Sequence, residues 1–211
     1  MQDIERFITG FRSFKENYFG PESTHFEPLK QGQSPKTMII GCSDSRVDPA
    51  IITNCSPGDI FTVRNVANLV PPYVEDDGQH GVSAALEFAV CHLGIEHIIV
   101  LGHSQCGGIK ALMADTCGCK GGGFISNWMS IANPAKERVL AELHGKEPTL
   151  QQLAAEQASI LLSIENLHSF PWIDDRVKAG TLSLHGWYFD ISLGDLLEYK
   201  PDLGSFEKIT K

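Results

Sequence analysis

The 211-residue sequence predicts an α/β fold: a mostly parallel β-sheet core flanked by helices, with an N-terminal helical arm. Three observations carry this. Short apolar runs at 37–40, 60–63 and 97–101 are largely continuous, as in strands buried on both faces, and 181–190 reads as a fourth strand. Segments with helical spacing lie between them, and strands alternating with helices imply parallel pairing through crossovers. Two of the runs open into polar loops, at 41–46 and 102–108, and open α/β sheets bind ligands beyond the carboxyl ends of their strands.

Residues 1–20 read as a helix. Ile4, Phe7, Ile8, Phe11 and Phe14 recur at steps of three and four, forming one apolar stripe, and Gly20-Pro21 stops it. Pro28, Gly32 and Pro35 mark a loop before the first strand. Residues 78–93 carry helical periodicity through Val82, Ala85, Leu86, Ala89 and Val90. A further helix is expected just after the 102–108 loop, and two more at 124–144 and 149–168. The last of these has the stripe Leu150, Leu153, Ala154, Gln157, Ile160, Leu161 and Ile164. Gly194-Asp195 reads as a hairpin after the fourth strand. With no repeat and no linker, residues 1–211 form a single domain, with a helical arm and loop at 1–35 and an α/β core at 36–211.

Composition bounds the function. A 42% hydrophobic chain with 20% charged residues has the makings of a full core and is neither disordered nor collagen-like. Lys+Arg 17 against Asp+Glu 26, a net charge of −9, argues against nucleic acid or an anionic membrane as partner. No apolar run approaches the roughly 18 residues that span a bilayer. The N-terminus lacks the basic and apolar regions of a signal peptide, so the expected location is cytoplasmic. In that setting the six cysteines read as thiols, metal ligands or catalytic groups rather than disulfides.

Cys42 follows the first strand, and His103 and Cys106 follow the third as H-x2-C. If the two strands are neighbours, these three groups converge, and Cys₂His with an open fourth position is a catalytic zinc arrangement. The alternative is a buried thiol, a surface histidine and an unrelated second thiol. Asp44 and Arg46, two residues apart, point the same way in an extended segment; paired, they fix an ionised carboxylate beside that site, or else form an ordinary surface ion pair. Gly102-x4-Gly107 echoes a phosphate-binding loop, but Gly108-Ile109 stands where Lys-Ser/Thr belongs, which argues against nucleotide. Cys117 and Cys119 read as reduced surface thiols or, alternatively, a second metal or redox site. His80, His92, His97, His144, His168 and His185 read as structural.

Three segments in this order, Cys42-Ser43-Asp44-Ser45-Arg46, Arg64-Asn65-Val66-Ala67-Asn68 and Gly102-His103-Ser104-Gln105-Cys106-Gly107-Gly108, resemble the β-class carbonic anhydrases. The resemblance runs from about residue 33 to 195. It implies zinc-dependent reversible hydration of CO2 to bicarbonate and a proton by a zinc-bound hydroxide, with one zinc per chain held by Cys42, His103 and Cys106. Asp44 and Arg46 would be the catalytic dyad that orients it. The family's assembly implies a homodimer or a higher assembly of dimers, the N-terminal arm lying across the partner. Gln33, nine residues before Cys42, resembles the active-site glutamine of the plant-like subtype and is expected to bind substrate, in the neighbouring subunit's site. Phe61, Val66 and Gly107 match that subtype's substrate pocket, with Phe88 in place of a tyrosine. The other subtype carries a bicarbonate site of Trp, Arg and Tyr; Ile39 and Phe189 stand at two of those positions and only Arg64 matches, so no such site is expected. The competing readings are a non-catalytic zinc-binding protein on the same fold and a relative that hydrolyses CS2 or COS.

Overall fold

The computed structural model describes residues 2–116 and 123–209; Cys117 and Cys119 lie outside them. The chain divides into two compact units, Met1–Ser34 and Pro35–Lys211.

In the first unit, α1 (Gln2–Phe19) occupies the predicted helix and α2 (Phe26–Leu29) adds a single turn where a loop was expected. Gly20 closes α1 by donating its N–H to the Glu16 carbonyl at 3.1 Å. A Cβ there would lie 2.4 Å from that same oxygen, so the closure needs glycine. Phe14, Tyr18, Phe19 and Phe26 pack as an aromatic cluster, with Phe19 and Phe26 stacked at 4.5 Å between centroids. Ile4, Phe7 and Phe11, from the same stripe, remain exposed.

The second unit contains β1 (Thr37–Cys42), α3 (Pro49–Ile52), β2 (Ile60–Asn65), α4 (Gly81–Glu87), β3 (His97–His103), α5 (Gly107–Met113), α6 (Phe124–Met129), α7 (Asn133–Glu142), α8 (Pro148–Leu167), α9 (Pro171–Lys178), β4 (Ser183–Asp190), β5 (Asp195–Lys200) and β6 (Ser205–Lys208). The strands form one sheet in the order β2-β1-β3-β4-β5-β6. The first four are parallel; β5 and β6 are added antiparallel. The β4–β5 hairpin follows from its turn residues. Gly194 adopts φ 70°, and the Asp190 carboxylate accepts the N–H groups of Ser192 and Leu193.

β1 and β3 are buried on both faces, which is why their residues read as continuous apolar runs. Met38, Ile40, Ile98 and Val100 face a core shared with Leu86, Ile160, Leu167, Phe170 and Ile173. Ile39, Ile99 and Leu101 face the other way, against Trp187, Phe189 and Leu196. α8 packs close to the sheet because two glycines make room. A Cβ at Gly102 would lie 2.6 Å from Ile160, and one at Gly186 3.1 Å.

Three predicted elements are corrected. The helix expected over 78–93 becomes α4 followed by a π-helical turn, Phe88–Leu93, ended by left-handed Gly94. The helix expected over 124–144 is broken into α6, a 3₁₀ turn at Ser130–Ala132 and α7, because Pro134 has no N–H to continue the ladder. On α8 the stripe is shifted: Leu150 and Leu153 are exposed, and the buried face includes Ala155, Glu156, Ser159, Ile160, Ser163 and Leu167. Among the described residues, no helix is long and apolar enough to cross a membrane.

Candidate metal centre

β1 and β3 are adjacent and parallel, with Gly41 opposite Leu101, so Cys42 and His103 emerge at the same, carboxyl end of the sheet. Beyond His103 the chain turns through Gln105, whose φ is 59°, and Cys106 becomes the residue that precedes α5. The turn brings the ligand atoms of Cys42, His103 and Cys106 within 4.8 Å of one another, with all three residues buried. The convergence expected from the two strand ends is therefore present.

The donor set suits a metal. His103 Nδ1 lies 2.9 Å from the Ser104 carbonyl, which requires the proton on Nδ1 and leaves Nε2 with its lone pair. That Nε2 is buried with no hydrogen-bond partner. The hydrogen bond from Cys106 holds the Cys42 thiol well below its ordinary value, against the upward pull of burial, with His103 adding to the effect. The same contact, with burial, pushes Cys106 up. Burial opposes charge on His103, yet the neighbouring Cys42 sulfur and the Ser104 carbonyl raise its value overall. Two sulfurs and one imidazole nitrogen are a donor set that a soft or borderline cation would enter by displacing protons.

Next to the cluster, Arg46 grips Asp44. Its Nε donates to Oδ1 at 2.9 Å and its Nη2 to Oδ2 at 2.7 Å, and the Arg46 main-chain N–H donates to Oδ1 at 3.0 Å. The segment is a turn rather than extended, since the Val47 N–H donates to the Asp44 carbonyl. The guanidinium holds the Asp44 carboxyl far below the usual carboxylate range. Arg46 Nη2 also donates to the Gln105 carbonyl at 3.2 Å, tying the loop after β1 to the loop after β3.

The sequence reading named Arg64 only as part of a motif and not for its contacts, and it missed Glu156 altogether. Arg64, at the end of β2, donates to the Cys42 carbonyl at 3.0 Å, the Asp44 carbonyl at 2.9 Å and the Asp48 carboxylate at 2.7 Å. Asp48 in turn caps α3. The guanidinium is thus a clamp on the loop that carries Cys42 and Asp44. Glu156, on α8, accepts the main-chain N–H of Cys106 at 3.0 Å. Its one sequence signal was a polar i, i+3, i+7 series, Glu156, Ser159 and Ser163, on an otherwise apolar helix.

The expected substrate residues are Phe61, Phe88, Val66, Gly107 and Gln33. Phe61 and Phe88 pair with ring centroids 5.9 Å apart. Val66 lines a cleft of about 950 Å³ with Arg64, Val82, Phe124 and Trp128, and the Trp128 indole donates to the Val66 carbonyl at 2.8 Å. Ala67 and Asn68 follow with φ 64° and 48°, two successive left-handed non-glycine residues. Gly108 is what lets α5 approach them: a Cβ there would lie 2.9 Å from Val66. Gly107 is the first residue of α5, directly after Cys106. Gln33 is exposed and belongs to the first unit.

A largely parallel α/β sheet with a Cys–His–Cys cluster at its strand ends defines a class of metal-binding α/β proteins. The carbonic anhydrase family pattern matches residues 37–196, and the chain belongs to that family, in its β class. It is 43% identical over 180 residues to "Beta carbonic anhydrase 5, chloroplastic" of Arabidopsis thaliana, covering 85% of this chain and 59% of the relative. It is 38% identical to the "Carbonic anhydrase" of a Synechocystis strain, covering 96% of this chain and 73% of the relative. The solved structure of the β-carbonic anhydrase CcaA superposes with a TM-score of 0.92 at 36% identity, covering 100% of this chain and 94% of that one. The plant-like glutamine subtype expected from Gln33 is corrected. The triad Cys42, His103 and Cys106 matches the Cys-type site, and Gln33 is no member of it. A nine-residue spacing along a loop fixes no position in space, whereas the β1–β3 register does.

Proposed function

We propose that the protein catalyses the reversible hydration of CO2 to bicarbonate and a proton, with one zinc ion held by Cys42, His103 and Cys106. The observation that carries this reading is the buried convergence of those three ligand atoms within 4.8 Å, and membership of the carbonic anhydrase family supports it. Zinc, when bound, supplies the Lewis acidity that makes water a nucleophile near neutral pH.

The chain's own residues do the rest. Two cysteine sulfurs balance the cation's charge, and the Nδ1 contact to Ser104 keeps the His103 Nε2 lone pair available. Asp44, kept ionised by Arg46, is an acceptor with no proton to give, so it orients the attacking water by taking its hydrogen bond. Arg46 prevents Asp44 from rotating by gripping both of its oxygens. Phe61, Val66 and Phe88 would supply apolar wall for an apolar substrate, and Gly107 a main-chain N–H at the start of α5, where such groups lack intrahelical partners. The exposed side chains Ile4, Phe7 and Phe11 support a homodimer or larger assembly that covers them.

Stopped-flow CO2 hydration with and without a zinc chelator tests the proposal. Turnover abolished by the chelator and restored by zinc is the expected result. Stoichiometric zinc without turnover would instead mark a non-catalytic zinc protein.

A further inference from the structure

The proposed chemistry leaves one buried carboxylate without a role. Glu156 lies on α8 and is 3% exposed. Its Oε1 accepts the main-chain N–H of Cys106 at 3.0 Å and the Gln152 amide at 2.9 Å, and its Oε2 accepts the Tyr188 hydroxyl at 2.8 Å. Burying a carboxylate is costly unless donors meet its lone pairs. Here three donors do, and one of them is the backbone of a cluster cysteine. We propose that Glu156 is a positioning residue for the metal centre: it fixes the main chain of Cys106 so that its sulfur stays within reach of Cys42 and His103.

Cys106 is the ligand that needs such a hold. Cys42 and His103 end strands and are fixed by ladders on their neighbours. Cys106 lies beyond the sheet, after Gln105 with its φ of 59°, a conformation non-glycine residues adopt only where their surroundings impose it. Side chains and loop backbone impose it here. The Ser104 N–H donates to the Phe189 carbonyl at 2.9 Å, Ser104 Oγ accepts the Ile191 N–H at 2.9 Å, and the Gln105 amide donates to Ser192 Oγ at 3.0 Å. These contacts fasten the first half of the turn to the end of β4 and the segment that follows it. Glu156 fastens the second half to α8. Tyr188, itself buried on β4, completes the device: burial and the adjacent carboxylate push its phenol up, so it remains a donor that holds Glu156 in its rotamer.

The inference rests on the triad being a metal site, and the experiment separates the two. Zinc-loaded protein is mixed with excess chromogenic chelator and the rate of metal transfer is followed. Circular dichroism and the thermal midpoint of the metal-free protein report folding. One zinc per wild-type chain, lost in Cys42→Ser, establishes the site; no zinc in the wild type overturns both readings. Outer residues that orient metal ligands typically contribute 10–100-fold to metal affinity. Glu156→Ala is therefore expected to release zinc about 10–100-fold faster. Glu156→Gln, which keeps an acceptor for the Cys106 N–H, falls between the two. Asn166→Ala is the comparison: it removes another α8 contact, to the Val70 carbonyl at 2.8 Å, and should lower the midpoint while leaving release at the wild-type rate. A wild-type rate in Glu156→Ala, or equal acceleration in Asn166→Ala, overturns the proposal. If Glu156→Ala does not fold, Tyr188→Phe decides, since it keeps the ring and removes only the donor to Glu156. Faster release supports the proposal, and an unchanged rate overturns it.

Discussion

Asp44 is tied into its turn from both ends, its carboxylate by Arg46 and its carbonyl by Arg64. Replacing it with Asn keeps the shape and replaces an acceptor-only oxygen by a donor. Asp44→Asn should bind zinc as the wild type does and lose about 10²–10⁴-fold in CO2 hydration; near wild-type turnover would remove Asp44 from the mechanism. A second prediction concerns stability away from the site. His185 lies 3.1 Å from His97 and 3.5 Å from Glu198, and Glu198 also pairs with Lys200. Burial, with the His97 charge, lowers the His185 value, outweighing Glu198. Its folded value thus lies below the unfolded one, about 6.5, so the unfolded chain takes the proton more readily. Stability is full above pH ~6.5 and falls as the pH drops through the folded value. His185→Gln should flatten that decline when denaturant midpoints are compared between pH 7 and 5. Single residues were unevenly legible in the sequence. Cys42 and His103 end strands and Cys106 follows three residues later, where local pattern and topology agree. The clamp made by Arg64 joins two loops through carbonyl oxygens, and carbonyls carry no sequence signature.

Elements whose period matched their burial were read with near-correct bounds, β1 and β3 above all. The stripe on α8 was not, because its leucines recur at helical spacing along a face that is partly exposed, while the face against the sheet carries Glu156, Ser159 and Ser163. α9 went unread, being two turns long, although Pro171 at its first position is a start signal. The contact that sets α8 on the sheet can be tested directly. Gly102→Ala places a Cβ 2.6 Å from Ile160, and overpacking of this kind costs about 1–3 kcal/mol. Trimming the obstacle in the double variant Gly102→Ala/Ile160→Val should recover part of the loss. The two changes would then be non-additive in urea denaturation; simple additivity would show that α8 is held elsewhere.

At the scale of the whole molecule, α1 keeps Ile4, Phe7, Ile8 and Phe11 48–62% exposed, more contiguous apolar surface than a lone helix carries without cost. Light scattering should therefore give at least a dimer at assay concentration, and Phe7→Ser/Phe11→Ser should shift it toward monomer; an active wild-type monomer would refute this. The position of the cluster has a further consequence, for kinetics. Cys42 and Cys106 are roughly sixty residues apart in sequence, and β1 reaches β3 only through a crossover that contains β2 and α4. In the denatured ensemble Cys42 is a stranger to the neighbouring pair His103 and Cys106, and loop-closure entropy keeps it so until the β1–β3 ladder exists. The complete three-residue site for zinc then exists only on a chain already past its folding barrier. Added during refolding, zinc should leave the folding limb of the chevron unmoved and lower the unfolding limb, so that the ion works as a latch on escape rather than as a nucleus.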